Sequence, residues 1–444
     1  MRRRLEKDED ERLAPYAVRS AEASRRHPVE NEGRAFDYRS HFQRDRDRII
    51  YSRAFRRLRQ KALTGILPDY EDHRRNRLTH TLEVTQFART LGRALFLNED
   101  LVEAVALGHD LGQPPFASAG EGALDDLLAG RLDARGGPGL GDLGGFNRAA
   151  QSLRVVDLIE KRYAHAGLNL SDPVREGIFK SSGVTRVGEA HVGVRAALAP
   201  LFEVQVVALA DRISGVLSDL DDALQSGVAE VDRVERLLAV RELRKKLGSS
   251  YPVRAARFVK ANILHRGLIH LLVTGAMLAS ERGLKRWASR NKVRTAEEFR
   301  AIRDDAVRGG EIGLPPAGRG MLEDIEGLLE GRVRRGFEAD RVYGQGRRIL
   351  LGLFAAYHAD PTLLDDHVLF RYRELAGGRY LRDVSRPAVE REVAAHYRTN
   401  PTFVRVLADH LAAMTDTYAL KEHARLLEIG AVPIPSAEQL KRET

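Results

Sequence analysis

Apolar residues recur along this chain at three- and four-residue intervals, while alternating runs of β-branched residues are scarce. That spacing lines one stripe of a helix, whereas a half-buried strand needs an apolar residue at every second position. Val84, Phe87, Ala88, Leu91 and Leu95 form one such stripe, and Val204, Val207 and Ala208 form another ahead of Asp211. Leu101, Val102, Val105 and Ala106 form a third, entered through Asp100 with Glu103 three residues later, in the manner of a capping box. The expected fold class is all-α.

Two breaks organise the chain. Residues 136–145 hold six glycines and one proline, a composition that neither helix nor strand tolerates. Residues 309–320 contain Pro315 and Pro316 and are expected to separate a helical core from a C-terminal region. The predicted organisation is a charged N-terminal segment over 1–40, a helical core over 41–308, a helical C-terminal region over 321–430 and a tail over 431–444. No repeat of fixed period is present.

Composition narrows the chemistry. With no Cys among 444 residues, disulfides, cysteine-ligated zinc and thiolate nucleophiles are excluded. The first residues, MRRRLEKDEDERL, are charged where a secretory signal requires an apolar stretch. The longest apolar run, Gly267 to Leu278, is interrupted by His270 and falls short of the roughly 18 residues of a membrane helix. A cytoplasmic chain that does not span a membrane is expected. The net charge is +9, and residues 1–61 hold 18 basic and 11 acidic side chains. Such asymmetry suits polyanionic ligands, nucleotide phosphates or nucleic acid, and a solvated basic surface accounts for it as well.

The most informative residues are His80, the adjacent His109 and Asp110, and Asp211. His80 precedes Val84 by four positions and Phe87 by seven, His109 stands in the same relation to Val105 and Val102, and Asp211 follows Val207 by four. Each therefore projects from the apolar face of its helix. Buried carboxylates and imidazoles are costly unless paired or bound to a metal. Two imidazoles and two carboxylates suit one divalent ion, Mn²⁺ or Mg²⁺, with Co²⁺, Fe²⁺ and Zn²⁺ as alternatives. A hydrogen-bonded core histidine beside a chance His-Asp pair is the competing explanation.

The segments FQRDRDRII with AFRRL, HRRNRLTHTLEV, LNEDLVEAVALGHDLG, GLNL, VVALADRI, DLDDAL and MTDTYALKEH resemble the HD-domain deoxynucleoside triphosphate triphosphohydrolases, the dGTPase-like family. The likeness runs from about Phe42 to His423. It implies an HD-domain helical core with peripheral helices, one metal held by His80, His109, Asp110 and Asp211, and a homo-oligomer. It also implies that Arg77 meets the α-phosphate, that Asp219 approaches the 3′-hydroxyl of the sugar, and that Arg53, Arg56 and Arg57 border the nucleotide. Tyr418 and Lys421 would lie near the nucleotide or a subunit contact. Asp110, Glu121 and the position of Ser118 belong to the catalytic set. Deoxynucleoside triphosphates are the implied substrates, and single-stranded DNA or an effector nucleotide the implied regulators.

The sequence also departs from that family. Its HDLGHPPFGHAGE reads HDLGQPPFASAGE here, with Gln113 and Ser118 replacing histidines, the second of them the proton-transfer group. Arg148 and Ala149 stand where His and Asn are expected, Ser181 replaces a histidine, Gly215 a sugar-stacking tyrosine, and Ser218 another histidine. Three functions follow from this mixture. One is a metal-dependent dNTP triphosphohydrolase in which water attacks the α-phosphorus and releases deoxynucleoside and tripolyphosphate. A second is a nucleotide-binding regulatory relative with weak or no turnover, and a third an HD phosphohydrolase with another nucleotide substrate. His73 is a candidate replacement proton donor. A dinuclear HD phosphodiesterase is disfavoured because no histidine lies between Leu111 and Ala164 to build a second metal site.

Overall fold

The computed structural model describes residues 2–29, 38–63, 75–132, 141–182, 194–195, 198–251 and 256–427. Among them are 19 α-helices with short 3₁₀ and π turns, and an isolated bridge between Lys161 and Gly167 in place of any strand. The fold is all-α.

The chain divides into two compact units. The first comprises Met1–Arg59, Leu63–Gly112 and Ala149–Asp340, and the second Gln60–Ala62, Gln113–Arg148 and Arg341–Thr444. Each has its own apolar core. Val84, Leu101, Val102, Val105, Val206 and Leu322 belong to the first, and Leu124, Leu353, Phe403 and Leu407 to the second. The first unit runs to Asp340, past the break at residues 309–320. Pro315 is the N-cap and Pro316 the first residue of a helix, Pro316–Leu329, that places Leu322, Ile325 and Leu329 in the first core. Proline at a helix start lacks only a donor that would have been unpaired there, so this pair opens an element instead of ending a domain.

Helix ends set the positions that matter later. The helix Arg77–Ala94 starts at Asn76, whose side chain accepts the Thr79 N–H at 2.9 Å while Thr79 Oγ1 accepts the Asn76 N–H at 3.1 Å. The helix Glu99–Gly108 is capped by Asn98, which accepts the Leu101 N–H at 3.2 Å, two residues before the cap expected at Asp100. Asn is as good a cap as Asp, and here it leaves Glu99 and Asp100 in the first turn, where the helix dipole favours them. A Cβ added at Gly108 would lie 2.5 Å from Ile178 Cδ1, and one at Gly177 2.5 Å from Val105 Cγ2. The helices Glu99–Gly108 and Asp172–Lys180 thus touch glycine to side chain in both directions.

The longest helix, Arg257–Asn291, corrects one expectation. An 18-residue window within its Phe258–Asn291 stretch reaches a mean hydropathy of 1.4, long and apolar enough to cross a membrane by length and composition. The uninterrupted-run criterion misses it because polar residues punctuate it. Leu264, Leu268, Leu272, Ala276, Ser280, Leu284 and Trp287 form a buried stripe at three- and four-residue spacing, the pattern of a helix packed into a protein core.

Candidate metal centre

His80 sits one turn into Arg77–Ala94, His109 and Asp110 directly follow Glu99–Gly108, and Asp211 lies within Phe202–Ser226. All three elements belong to the first unit. His80 Nε2 is 3.0 Å from Asp211 Oδ1, and His109 Nε2 is 3.6 Å from the same oxygen. One nitrogen or oxygen from each of His80, His109 and Asp211 lies within 4.8 Å of the others, a spacing that can surround one cation. Asp110 Oδ2 stands 3.5 Å from His109 Nε2.

The donor set fits a metal. His109 Nδ1 is 2.6 Å from the Ala106 carbonyl, which can only accept, so that nitrogen carries the proton and a neutral ring presents a lone pair at Nε2. His109 Nε2 is buried and has no hydrogen-bond partner. A backbone carbonyl that fixes the tautomer behind a ligating imidazole is a usual support in metal sites. Without a cation, the proton takes its place. Burial disfavours charge on His109, but the carboxylates of Asp110 and Asp211 outweigh burial and its pKa is pushed up to about 9. Burial likewise raises the Asp211 carboxyl, yet His109 and His80 hold it well below the usual carboxylate range. Proton and metal therefore compete for one pocket.

The surroundings brace this cluster. Ser152 donates to the His109 carbonyl at 2.9 Å and accepts the Gly112 N–H at 2.8 Å, fixing the turn that carries the His-Asp pair. Arg77 donates to Asp110 Oδ2 at 2.8 Å and to the Leu63 carbonyl at 2.9 Å, which puts a guanidinium at the edge of the centre. Glu83, three residues after His80, accepts from the Ser218 hydroxyl at 3.0 Å. Arg75 bridges Glu83, Asp221 and Asp222 at 3.3, 2.7 and 2.6 Å.

Asp219 lies on the same helix as Asp211 and is buried. Its Oδ2 accepts from Arg334 at 2.9 Å. Burial raises its pKa against the pull of Arg334, and the charges of Arg77 and His80 oppose burial as well. Between Asp211 and Asp219, a Cβ built at Gly215 would meet only His80 Cε1, at 4.0 Å. The helix face beside the imidazole is open.

The basic N-terminal segment splits into two kinds of arginine. Arg48 is buried and donates to the carbonyls of Leu168 and Asn169 at 2.8 and 2.7 Å, while Asp45 accepts from Arg25 and from the Ser171 N–H at 3.0 Å. These residues hold the GLNL loop. Arg53 and Arg56 are exposed, and neither they nor Arg57 has a carboxylate partner within ion-pair distance among the described residues. Burial lowers the Arg57 pKa, Glu160 opposes this, and the like charges of Arg53 and Arg56 lower it further. A cluster of unneutralised guanidiniums is a ready anion site.

The remaining sequence candidates lie in the second unit or turn inward. Ser118 is exposed at the start of the helix Ser118–Leu128, preceded by Phe116 and Ala117 at φ 61° and 51°, a region non-glycine residues rarely adopt. Glu121 accepts the Arg148 N–H at 3.0 Å, and Gln113 is buried with its side-chain oxygen unpartnered. Tyr418 is half-buried, and burial with the charges of Asp365 and Glu422 pushes its phenol up to about 12. In the first unit, Ser181 donates to the Ile178 carbonyl at 3.2 Å. His73 and the tail over 431–444 lie outside the described residues. Sequence reasoning missed Ser152, Glu83 and Arg334. Glu83 was accessible from its i+3 relation to His80, whereas Arg334 carries no local signal.

Residues 77–215 match the HD domain. A deoxyguanosinetriphosphate triphosphohydrolase-like protein of Azoarcus sp. (strain BH72) is 35% identical over 425 residues, covering 95% of this chain and 98% of the relative. Its counterpart from Syntrophus aciditrophicus (strain SB) is 35% identical over 433 residues, 96% of each chain. That from Sinorhizobium medicae (strain WSM419) is 35% identical over 412 residues, 88% of this chain and 89% of the relative. The chain belongs to the deoxyguanosinetriphosphate triphosphohydrolase-like family of HD-domain proteins, and it is an HD-type phosphohydrolase.

Proposed function

We propose that this enzyme is a metal-dependent dNTP triphosphohydrolase. The observation that carries the reading is the His80–His109–Asp211 cluster, with both imidazoles buried, no hydrogen bond at His109 Nε2 and Arg77 paired to Asp110 at its edge. His80, His109 and Asp211, with Asp110, would hold one divalent ion, Mn²⁺ or Mg²⁺. When bound, such an ion supplies Lewis-acid charge to the phosphoryl group. Arg77 orients the α-phosphate by its fork of N–H donors, and Arg53, Arg56 and Arg57 offer charge to the outer phosphates. Asp219 accepts from a sugar hydroxyl. Water attacks the α-phosphorus, the bond from phosphorus to the 5′-oxygen breaks, and that oxygen takes a proton, giving deoxynucleoside and tripolyphosphate.

The weak step is the proton. A serine hydroxyl is not a proton donor near neutral pH, and losing a general acid costs on the order of 10² to 10⁴ in rate. Ser181 and Ser218 have already committed their protons to Ile178 and Glu83. Slow turnover is therefore expected, and this supports the second reading, a nucleotide-binding regulatory relative that keeps the metal and phosphate groups with little catalysis. The open face at Gly215 supports acceptance of ribonucleotides beside deoxyribonucleotides. Regulation by single-stranded DNA or an effector nucleotide, and a homo-oligomeric cytoplasmic enzyme, complete the proposal on the strength of family resemblance.

The test is a product assay with Mn²⁺ or Mg²⁺ over all dNTPs and NTPs, singly and mixed, scoring nucleoside and tripolyphosphate. Metal-dependent tripolyphosphate above an Asp211→Ala control is the expected result. Nucleotide binding with no product in any mixture would favour the regulatory reading.

A further inference from the structure

The helix Pro316–Leu329 and the turn that follows it meet the Asp211 helix through two ion pairs. Arg212, next to Asp211, donates to both carboxylate oxygens of Glu326 at 2.9 and 2.8 Å, and it is largely exposed. Beyond Leu329 the chain tightens into a π turn, Glu330–Arg334, in which Val333 is buried in the first unit's core. Insertions of this kind re-aim one side chain and are frequent at functional sites. Here the re-aimed residue is Arg334, whose Nη2 reaches Asp219 Oδ2 at 2.9 Å. The Asp219 side chain is 7% exposed, against 50% for Arg334. Its other oxygen, Oδ1, has no hydrogen-bond partner among the described residues.

Unlike the exposed pair at Glu326, this one ends on a buried carboxylate on the same helix as Asp211, where the charges of Arg77 and His80 reach it. A buried carboxylate held through one oxygen keeps its other oxygen wholly free, and that oxygen can only accept from a donor. The geometry points to Arg334 as a positioning residue: it fixes Asp219 through Oδ2 so that Oδ1 receives a hydroxyl of the nucleotide sugar. This rests on the nucleotide reading above, and it adds a residue from the far end of the first unit to the site. Arg334 also opposes the effect of burial on Asp219, which favours the carboxylate form that accepts.

The experiment compares full-length wild type, Arg334→Gln, Arg334→Lys and Glu326→Gln with a dNTP and with its 2′,3′-dideoxy analogue, which lacks the hydroxyl. Arg334→Gln is expected to lower kcat/KM for the dNTP by about tenfold to a hundredfold, the range for a hydrogen bond to a charged group. For the dideoxy analogue the loss is expected to be under about threefold, with Arg334→Lys restoring much of the difference and Glu326→Gln matching wild type on both. The Arg334→Gln loss on the dNTP should also deepen as pH falls, because Asp219 then protonates more readily. If turnover is too slow to measure, the same comparison is made on binding of the two nucleotides with Mn²⁺ present. Equal losses on both nucleotides would reduce Arg334 to a structural brace and overturn the proposal, as would no loss at all. Wild-type protein that neither binds nor hydrolyses any nucleotide would remove the functional reading and this proposal together, whereas a hydroxyl-independent loss in an active wild type removes only the proposal.

Discussion

The centre on the first unit and the Ser118 segment on the second come from one stretch of sequence, HDLGQPPFASAGE, yet they have kept different things. His109 and Asp110 are buried; His109 forms a compact donor cluster with His80 and Asp211, and Asp110 stands beside it. Ser118, nine residues after His109, is exposed at a helix start, and it stands where the family resemblance implies a proton-transfer histidine. Burial explains part of the contrast. Removing one member of a buried charged cluster leaves the others unpaired, at a cost of about 3–5 kcal/mol, while an exposed position changes nearly free of such cost. The cluster is thus held by folding as well as by function, and the exposed segment by function alone.

The sharpest way to break the comparison is to damage the buried half. Asp211→Ala or His109→Ala is expected to lower phosphohydrolase activity by at least about 10³-fold, since several kcal/mol of charge stabilisation are lost at about 1.4 kcal/mol per decade. Steady-state rates with circular dichroism as a folding control measure it, and activity surviving in both variants would mean that the cluster is not the centre. Repairing the exposed half should work in the opposite direction. Ser118→His is predicted to raise the rate by about 10² to 10⁴-fold, and a rate equal to the parent would show that the missing donor is not what limits turnover.

The next effect separates metal from proton. Because His109 is pushed up to about 9, a cation entering the metal-free site displaces a proton at any lower pH. Mn²⁺ affinity should therefore rise by up to about tenfold per unit from about pH 7 towards 9 and level off above it. Calorimetry in buffers of different protonation enthalpy reports the released proton, and a flat profile would contradict the competition. The smallest effect concerns the open face beside His80. Gly215 sits inside a helix with space for a Cβ, so Gly215→Ala should stabilise the fold by about 0.5–1 kcal/mol in thermal or urea unfolding. A loss of stability there would show that the space is not open.

The metal half was legible because helical periodicity alone places His80, His109 and Asp211 on apolar faces, where an ionisable group needs a reason to be. The basic segment was half-legible. Composition pointed to anions, but it could not separate Arg48, spent on backbone carbonyls, from Arg53, Arg56 and Arg57, which lack carboxylates. The proline pair is ambiguous in sequence, because it can either end an element or begin one, and here it begins Pro316–Leu329. Arg334 was invisible, since its partner lies 115 residues away and its aim depends on a π turn that no spacing rule announces.

The most direct measurement of the account is Mn²⁺ stoichiometry on metal-free protein, read from the electron paramagnetic resonance of the free ion. Wild type and Ser118→His should each bind one ion per chain, and Asp211→Ala and His109→Ala none. Equal binding by all four proteins would place the ion elsewhere and contradict the centre described above.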